Sequence, residues 1–307
     1  MIDRPVRIGT RGSALALAQT EIVADRLREE GHEVEVIEIR TSGDRAQRDG
    51  SMMLARGAFV NELERALVGE EIDLAVHSAK DLPTGGDPAT ELVAFPPRED
   101  PRDAVVSRDG SGLDGLPEGA RVGTESPRRR AFLLLSRPDL APTPIRGNVD
   151  TRLRKLDAGD YEALVVAVAG LRRLGLEGRI SETLDPDTMI PAVGQGALAL
   201  QMRADDPLAG AVRGLDDPDT RAAVIAERSF LETMGGGCRA PFAALGRAED
   251  GRLSLEGAAV DPAGAQAIRD RVEGDVEEAT SLGERLAESL LSRGAADFVA
   301  AAREESG

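Results

Sequence analysis

The stretch Val6-Arg7-Ile8-Gly9-Thr10-Arg11-Gly12-Ser13, with the run behind it, decides the fold. Its first five residues read as a short strand. Ser13 is a natural helix N-cap, and the helix it predicts runs from about Ala14 to Glu30, with Leu15, Ala18, Ile22 and Leu27 near one face. His32 to Ile39 alternates and predicts the next strand. Thr41 to Arg56 is polar, glycine-bearing and patternless, so a mobile loop is expected there. A helix from about Ala58 to Val68 and a strand at Ile72-Asp73-Leu74-Ala75-Val76 follow. Strands alternating with helices imply an α/β fold with a mostly parallel sheet.

Outward from this unit, Arg98 to Pro101 is charged and punctuated by proline, as a crossing between domains would be. A second alternating unit runs from about Asp103 to Ile190, with strands near 121–123 and 164–168 and helices near 126–135 and 149–158. Pro191-Ala192-Val193-Gly194-Gln195-Gly196-Ala197 suits a return crossing. Asp219 to Met234 reads as a helix that ends at a glycine run. Strands at 252–260 and 267–272, then helices near 277–293 and 295–303, predict a small α+β tail.

At 307 residues the chain has room for two or three domains. Lys plus Arg number 38 against 55 Asp plus Glu, a net charge of −17, and the only lysines are Lys80 and Lys155. Such an excess of acid argues against nucleic acid as a partner, since phosphates are repelled. One tyrosine and no tryptophan leave little on which bases could stack. No run is apolar enough to span a bilayer. Met1-Ile2-Asp3-Arg4-Pro5-Val6 lacks the apolar segment of a signal peptide, so a cytoplasmic location is expected. Surplus carboxylates with scarce lysine point further to a salt-rich cytoplasm.

Against that acidic background, the placement of the arginines is informative. Arg11 follows the first strand. Arg128, Arg129 and Arg130 follow Gly123-Thr124-Glu125-Ser126-Pro127. Arg146 and Arg152 flank the start of a helix, and Arg172 and Arg173 follow Ala169-Gly170. Segments just after strands gather at the carboxyl edge of a doubly wound sheet, where ligands bind. Arginine suits bidentate carboxylate or phosphate binding, so a small ligand with several negative groups is expected. The plainer account, that each arginine pairs with a surface acid, is about even for any one of them and weaker for the set. In Val76-His77-Ser78-Ala79-Lys80-Asp81-Leu82-Pro83 a carboxylate at a strand exit could stabilise a developing cation or relay a proton; taken alone, a surface Lys-Asp turn explains it equally. His77 is read as structural. His32, His77 and Cys238 have no zinc-site spacing, and there is no Walker loop or dinucleotide fingerprint. Cys238 follows Gly235-Gly236-Gly237. It reads either as a buried, inert thiol or as an attachment point or nucleophile with room beside it.

The ordered set of motifs resembles the porphobilinogen deaminase (hydroxymethylbilane synthase) family. It comprises Arg7 to Ser13, Phe59 to Glu64, Val76 to Pro83, Arg98 to Asp103, Arg146 to Val149, Ala167 to Leu171, Pro191 to Ala197 and Gly236-Gly237-Cys238. The resemblance implies two related sheets of the periplasmic-binding-protein type plus a small α+β C-terminal domain. The implied domains are 1–98 with 196–215, then 102–191, then 218–307. It implies a covalent dipyrromethane cofactor, joined by a thioether to Cys238, on which four porphobilinogen units are condensed with loss of ammonia before water releases the linear tetrapyrrole. It also implies Asp81 as the catalytic carboxylate. Arg11, Arg128, Arg129, Arg146, Arg152 and Arg173 would bind carboxylates, and Ser13, Lys80, Thr124 and Ser126 would make polar contacts. No metal is implied, a monomer is expected, and the product would pass to uroporphyrinogen-III synthase.

Three residues depart from the family pattern: Glu125 in place of a small hydroxyl residue, Pro127 in place of an apolar one, and Arg239 where glutamine is common. The rival account is a non-catalytic small-anion-binding protein of similar fold. From the charge balance, Tm is expected to rise with added potassium chloride; a protein fully folded and active without salt, and indifferent to it, would contradict that expectation.

Overall fold

The computed structural model describes residues 4–39, 58–235 and 241–298. The chain divides into two compact units, Met1–Arg98 with Ala197–Arg221, and Glu99–Gly196 with Ala222–Gly307.

The first unit opens with strand β1 (Val6–Thr10), helix α1 (Ala14–Glu29), strand β2 (Val34–Glu38), helix α2 (Ala58–Val68), and strands β3 (Leu74–Ser78) and β4 (Thr90–Ala94). Ser13 caps α1 by accepting from the Ala16 N–H at 3.2 Å. The buried stripe of α1 is Thr20, Val23, Ala24 and Leu27, whereas Ile22 is 43% exposed. The apolar face expected through Ile22 is therefore rotated by about one residue, because small Ala24 and Thr20 let the helix lie close to the sheet. The strand expected at Ile72–Val76 begins two residues later. Asp73 is held in an ion cluster and Ile72 packs with Leu63, Ala66 and Leu67 instead. The expected loop at Thr41–Arg56 lies outside the described residues.

The second unit begins with β5 (Asp103–Ser107), β6 (Arg121–Gly123), α3 (Pro127–Ser136), β7 (Ala141–Thr143), α4 (Val149–Asp157), β8 (Ala163–Ala167), α5 (Val168–Arg173) and β9 (Glu182–Thr183). The chain then returns to the first unit with β10 (Leu198–Arg203) and α6 (Ala209–Arg213). After helix α7 (Pro218–Thr233), the second unit is completed by β11 (Phe242–Glu249), β12 (Arg252–Val260), β13 (Ala267–Asp275) and α8 (Ala279–Leu290).

The two five-stranded sheets share one plan. Their orders are β2-β1-β3-β10-β4 and β7-β6-β8-β5-β9. In the first, β1 runs parallel to β2 and β3, and β10 is antiparallel to β3 and β4. In the second, β6 runs parallel to β7 and β8, and β5 is antiparallel to β8 and β9. Central strands such as Asp103–Ser107 are buried along their whole length, as expected where helices cover both faces. The antiparallel three-stranded sheet β11-β12-β13 shares a core with the second sheet, in which Ala243, Leu245, Ala258 and Val260 meet Val105, Val122 and Phe132. Its other face packs with α7 and α8 through Phe230, Leu282 and Leu286. Where the crossings meet, the Glu99 N–H donates to the Gly196 carbonyl at 3.3 Å. Gly196 has φ +87°, and a Cβ there would lie 2.3 Å from the Glu99 carbonyl oxygen, so only glycine fits.

At the amino edge of the first sheet, fully buried Asp73 accepts from Arg4 (2.6 and 2.9 Å), from the Arg7 side chain and backbone N–H, and from Arg203 (3.1 Å). Burial opposes its charge, but these donors hold its carboxyl well below the usual range. Asp73→Ala strands three guanidinium groups and is expected to cost about 3 kcal/mol by urea unfolding, the low end for a broken buried ion pair, because the arginines keep part of their water.

Candidate active site

In the first unit, Arg11 and Ser13 follow β1, and Lys80 and Asp81 follow β3, which pairs directly with β1. Ala79–Asp81 forms one 3-10 turn, anchored by the Ala79 N–H donating to the Ala197 carbonyl at 3.0 Å. Asp81 is exposed, and Lys80 is half-buried. Behind them His77 is buried. Gln201 uses its amide NH2 on Glu64 (2.9 Å) and Thr90 (2.8 Å), which leaves its Oε1 to accept from His77 Nε2–H at 2.9 Å. The contact follows from the register: Ala199 lies opposite His77, so Gln201 is its diagonal neighbour. Burial pushes the imidazole down to about 4, although Gln201 and the Asp81 charge favour the protonated form. His77 is thus neutral, and its place is structural, as the sequence suggests.

In the second unit, every expected residue among those described follows a parallel strand: Thr124, Ser126, Arg128 and Arg129 after β6, Arg146 and Arg152 after β7, and Arg173 after β8. Ser126 caps α3, accepting from the Arg129 N–H at 3.4 Å, and Thr124 Oγ1 accepts from the Ser126 N–H at 3.2 Å. Pro127 is the first residue of α3, where its missing N–H costs nothing. The departure at Pro127 is accounted for by helix geometry.

Arg128 and Arg129 do not project into solvent. Arg128 donates to Asp103 Oδ2 and to the Ile190 carbonyl, each at 2.6 Å. Arg129 donates to Asp103 Oδ1 at 2.7 and 3.0 Å and to the Val165 carbonyl at 3.0 Å. Gln195, from the return crossing, donates to Asp103 at 2.9 Å and to the Pro101 carbonyl at 2.8 Å. Burial would raise the Asp103 carboxyl, but the charges of Arg128 and Arg129, with the Gln195 hydrogen bond, hold it down to about 2. Two guanidinium groups on one carboxylate leave one positive charge.

The remaining cations are Arg146 in the loop after β7, Arg152 in the first turn of α4 and Arg173 at the end of α5. Arg152 donates to the Gly147 carbonyl at 2.8 Å and Arg173 to the Gly196 carbonyl at 2.6 Å. A carbonyl satisfies a donor without cancelling its charge. Burial lowers the pKa of both, yet arginine remains charged. Arg146 is exposed and donates to Glu125 Oε1 at 3.3 Å. Sequence reasoning missed Asp103 and Gln195 as members of this cluster. An acid heading the apolar run Ala104-Val105-Val106 is the signal that would have found the first.

The chain matches the family model described as porphobilinogen deaminase, dipyromethane cofactor binding domain, over residues 6–210. The chain belongs to the porphobilinogen deaminase family. The family's C-terminal domain model matches residues 221–292. Porphobilinogen deaminase of Acidothermus cellulolyticus is 49% identical over 305 residues, covering 97% of this chain and 92% of that protein. That of Thermus thermophilus is 47% identical over 304 residues, covering 98% and 100%. Among solved structures, a periplasmic substrate-binding protein of an ABC transporter from Coxiella burnetii is 17% identical with TM-score 0.43, covering 68% of this chain and 91% of its own. Cys238 and Arg239 lie outside the described residues; helix α7 leads towards them and is followed by Gly235 at φ +83°. Among the described residues no group of His, Cys, Asp and Glu could hold a metal ion, and no helix is long and apolar enough to cross a membrane.

Because the folded Asp103 carboxyl lies below its unfolded value near ~4, its contribution is complete above about pH 4 and is lost as pH falls towards 2. Thermal unfolding across pH 2–7 is expected to show lower stability for Asp103→Asn at pH 7 and a shallower fall below about pH 4 than in the parent protein.

Proposed function

We propose that this protein is a hydroxymethylbilane synthase, a transferase that joins four porphobilinogen units head to tail with loss of ammonia and releases the linear tetrapyrrole with water. The observation that carries this reading is that each five-stranded sheet sets charged side chains at the carboxyl ends of its own parallel strands: Arg128, Arg129, Arg146, Arg152 and Arg173 in the second, Asp81 beside Lys80 in the first. In a chain of net charge −17, arginines at that edge with partly uncompensated charge suit a ligand that gains acetate and propionate arms at each addition.

The dipyrromethane of the family fits this donor set, since its acidic arms call for cations rather than metal ligands. Arg128, Arg129, Arg146, Arg152 and Arg173, with Arg11, Ser13, Lys80, Thr124 and Ser126, would hold the acidic arms of the dipyrromethane and of the growing chain. Cys238 would be the anchor, joined by a thioether. When bound, the group supplies the pyrrole carbon to which each new unit is attached. Asp81 works on the incoming porphobilinogen. Its carboxylate keeps the aminomethyl group in its ammonium form, so that the C–N electron pair leaves with ammonia. The same carboxylate then offsets the positive charge that develops on the pyrrole. Arg128 and Arg129 both place donors on Asp103, so their part is mainly the one positive charge that the three groups share. The separate match to residues 221–292 supports a third domain, 218–307, that carries the anchor. Residues 1–98 with 196–215 and residues 102–191 form the other two in this reading. A monomer in the cytoplasm, handing its product to uroporphyrinogen-III synthase, completes it.

Intact mass is expected to exceed that of the bare polypeptide by one dipyrromethane, and Cys238→Ala to abolish the increment. A bare polypeptide made with substrate available would favour the non-catalytic anion-binding account. Asp81→Asn is expected to keep the mass increment and lose at least about 100-fold in kcat; near-normal turnover would remove Asp81 from the chemistry.

A further inference from the structure

Resting on the functional reading above, we infer that Glu125 is an internal competitor for ligand carboxylates: it pairs with Arg146 and must be displaced when an acidic arm binds there. The segment that carries Glu125 is fixed on both sides. Thr124 is buried and its hydroxyl accepts from the Ser126 N–H, while Ser126 in turn caps α3. With both neighbours committed, Glu125 leaves the loop in a defined place, and its Oε1 accepts from Arg146 Nε at 3.3 Å. Its charge also acts on Arg152, which is surrounded otherwise by protein and by the repelling charge of Arg129. One carboxylate therefore sits where two cations of the second sheet could be shared by a ligand.

Competition of this kind is weak because of the geometry. Arg146 and Glu125 are 64% and 44% exposed, so the pair is partly screened by water and by salt. It is strong enough to tune affinity and too weak to block the site. Removing the charge of Glu125 while keeping its shape frees Arg146 for the ligand, whereas removing Arg146 takes away the contact for which the two compete. An acid in this position also speeds dissociation, because it re-forms an ion pair with Arg146 as the arm leaves.

The test compares the parent holoenzyme, Glu125→Gln, Arg146→Ala and the double variant. Glu125→Gln is expected to bind succinate, a simple dicarboxylate probe, about two- to fivefold more tightly by calorimetry at low salt. It is expected to lower KM for porphobilinogen by a similar factor. Both gains should shrink in 1 M potassium chloride, where the screening length is about 3 Å, and most of the succinate gain should disappear in the Arg146→Ala background. Equal succinate affinity in the parent and Glu125→Gln, or binding by neither, overturns the inference whatever the turnover. A parent protein that does not turn over porphobilinogen sinks the functional reading, and the succinate comparison then still decides whether Glu125 competes for Arg146.

Discussion

Asp103, with no access to water, sits between the guanidinium groups of Arg128 and Arg129 and the amide of Gln195. None of these charges can be compensated by solvent, so each is compensated by the others or not at all. The four residues come from separate parts of the second unit: Asp103 opens β5, the arginines form the first turn of α3, and Gln195 belongs to the return crossing. One buried contact thus fixes the helix whose N-terminus Ser126 caps, the strand that lies between β8 and β9, and both segments at Glu99 and Gly196. The segments that hold Arg146, Arg152 and Arg173 belong to the same unit. The odd positive charge the contact retains adds to the field at the same edge.

The two five-stranded sheets use one plan to present different sets of charged side chains. Arg11 and Ser13 follow β1 as Thr124, Ser126 and Arg129 follow the equivalent strand β6. Lys80 and Asp81 follow β3 as Arg173 follows β8. The plan places loops at the carboxyl ends of parallel strands, where backbone donors and helix N-termini already favour anions. The first sheet sets the carboxylate of Asp81 there beside Arg11 and Lys80, and the second sets a group of arginines.

Much of this architecture is legible in the sequence. Helices α1, α2, α3, α4 and α7 lie within a residue or so of the expected spans, because caps such as Ser13 and Ser126 and the positive-φ glycine Gly235 mark their ends. Three of the strands that sequence reasoning does not find share a cause. Leu198-Ala199-Leu200-Gln201-Met202-Arg203 has no β-branched residue, Ala141-Pro142-Thr143 carries a proline, and Phe242 to Glu249 is rich in alanine. Each lacks local strand propensity and is a strand because its neighbours pair with it. At the site, residue identities are legible and their partners are not. That Arg128 and Arg129 spend their donors on Asp103 depends on a contact 25 residues away in sequence, which local pattern does not carry.

The strand order has a consequence for how this chain is made. In the first sheet β10 lies between β3 and β4, and it is the tenth strand in sequence. Until residues 198–203 leave the ribosome, β3 and β4 each present an open edge, flanked by Leu74, Val76, Val93 and Ala94 that the finished protein buries completely or nearly so. The second sheet has no such gap, since all its strands lie between Asp103 and Thr183. Synthesis from the N-terminus therefore completes the second sheet first, and the first-made half of the protein waits for its last strand. A long-range pairing of this kind slows folding and leaves a nascent edge in need of protection from other chains.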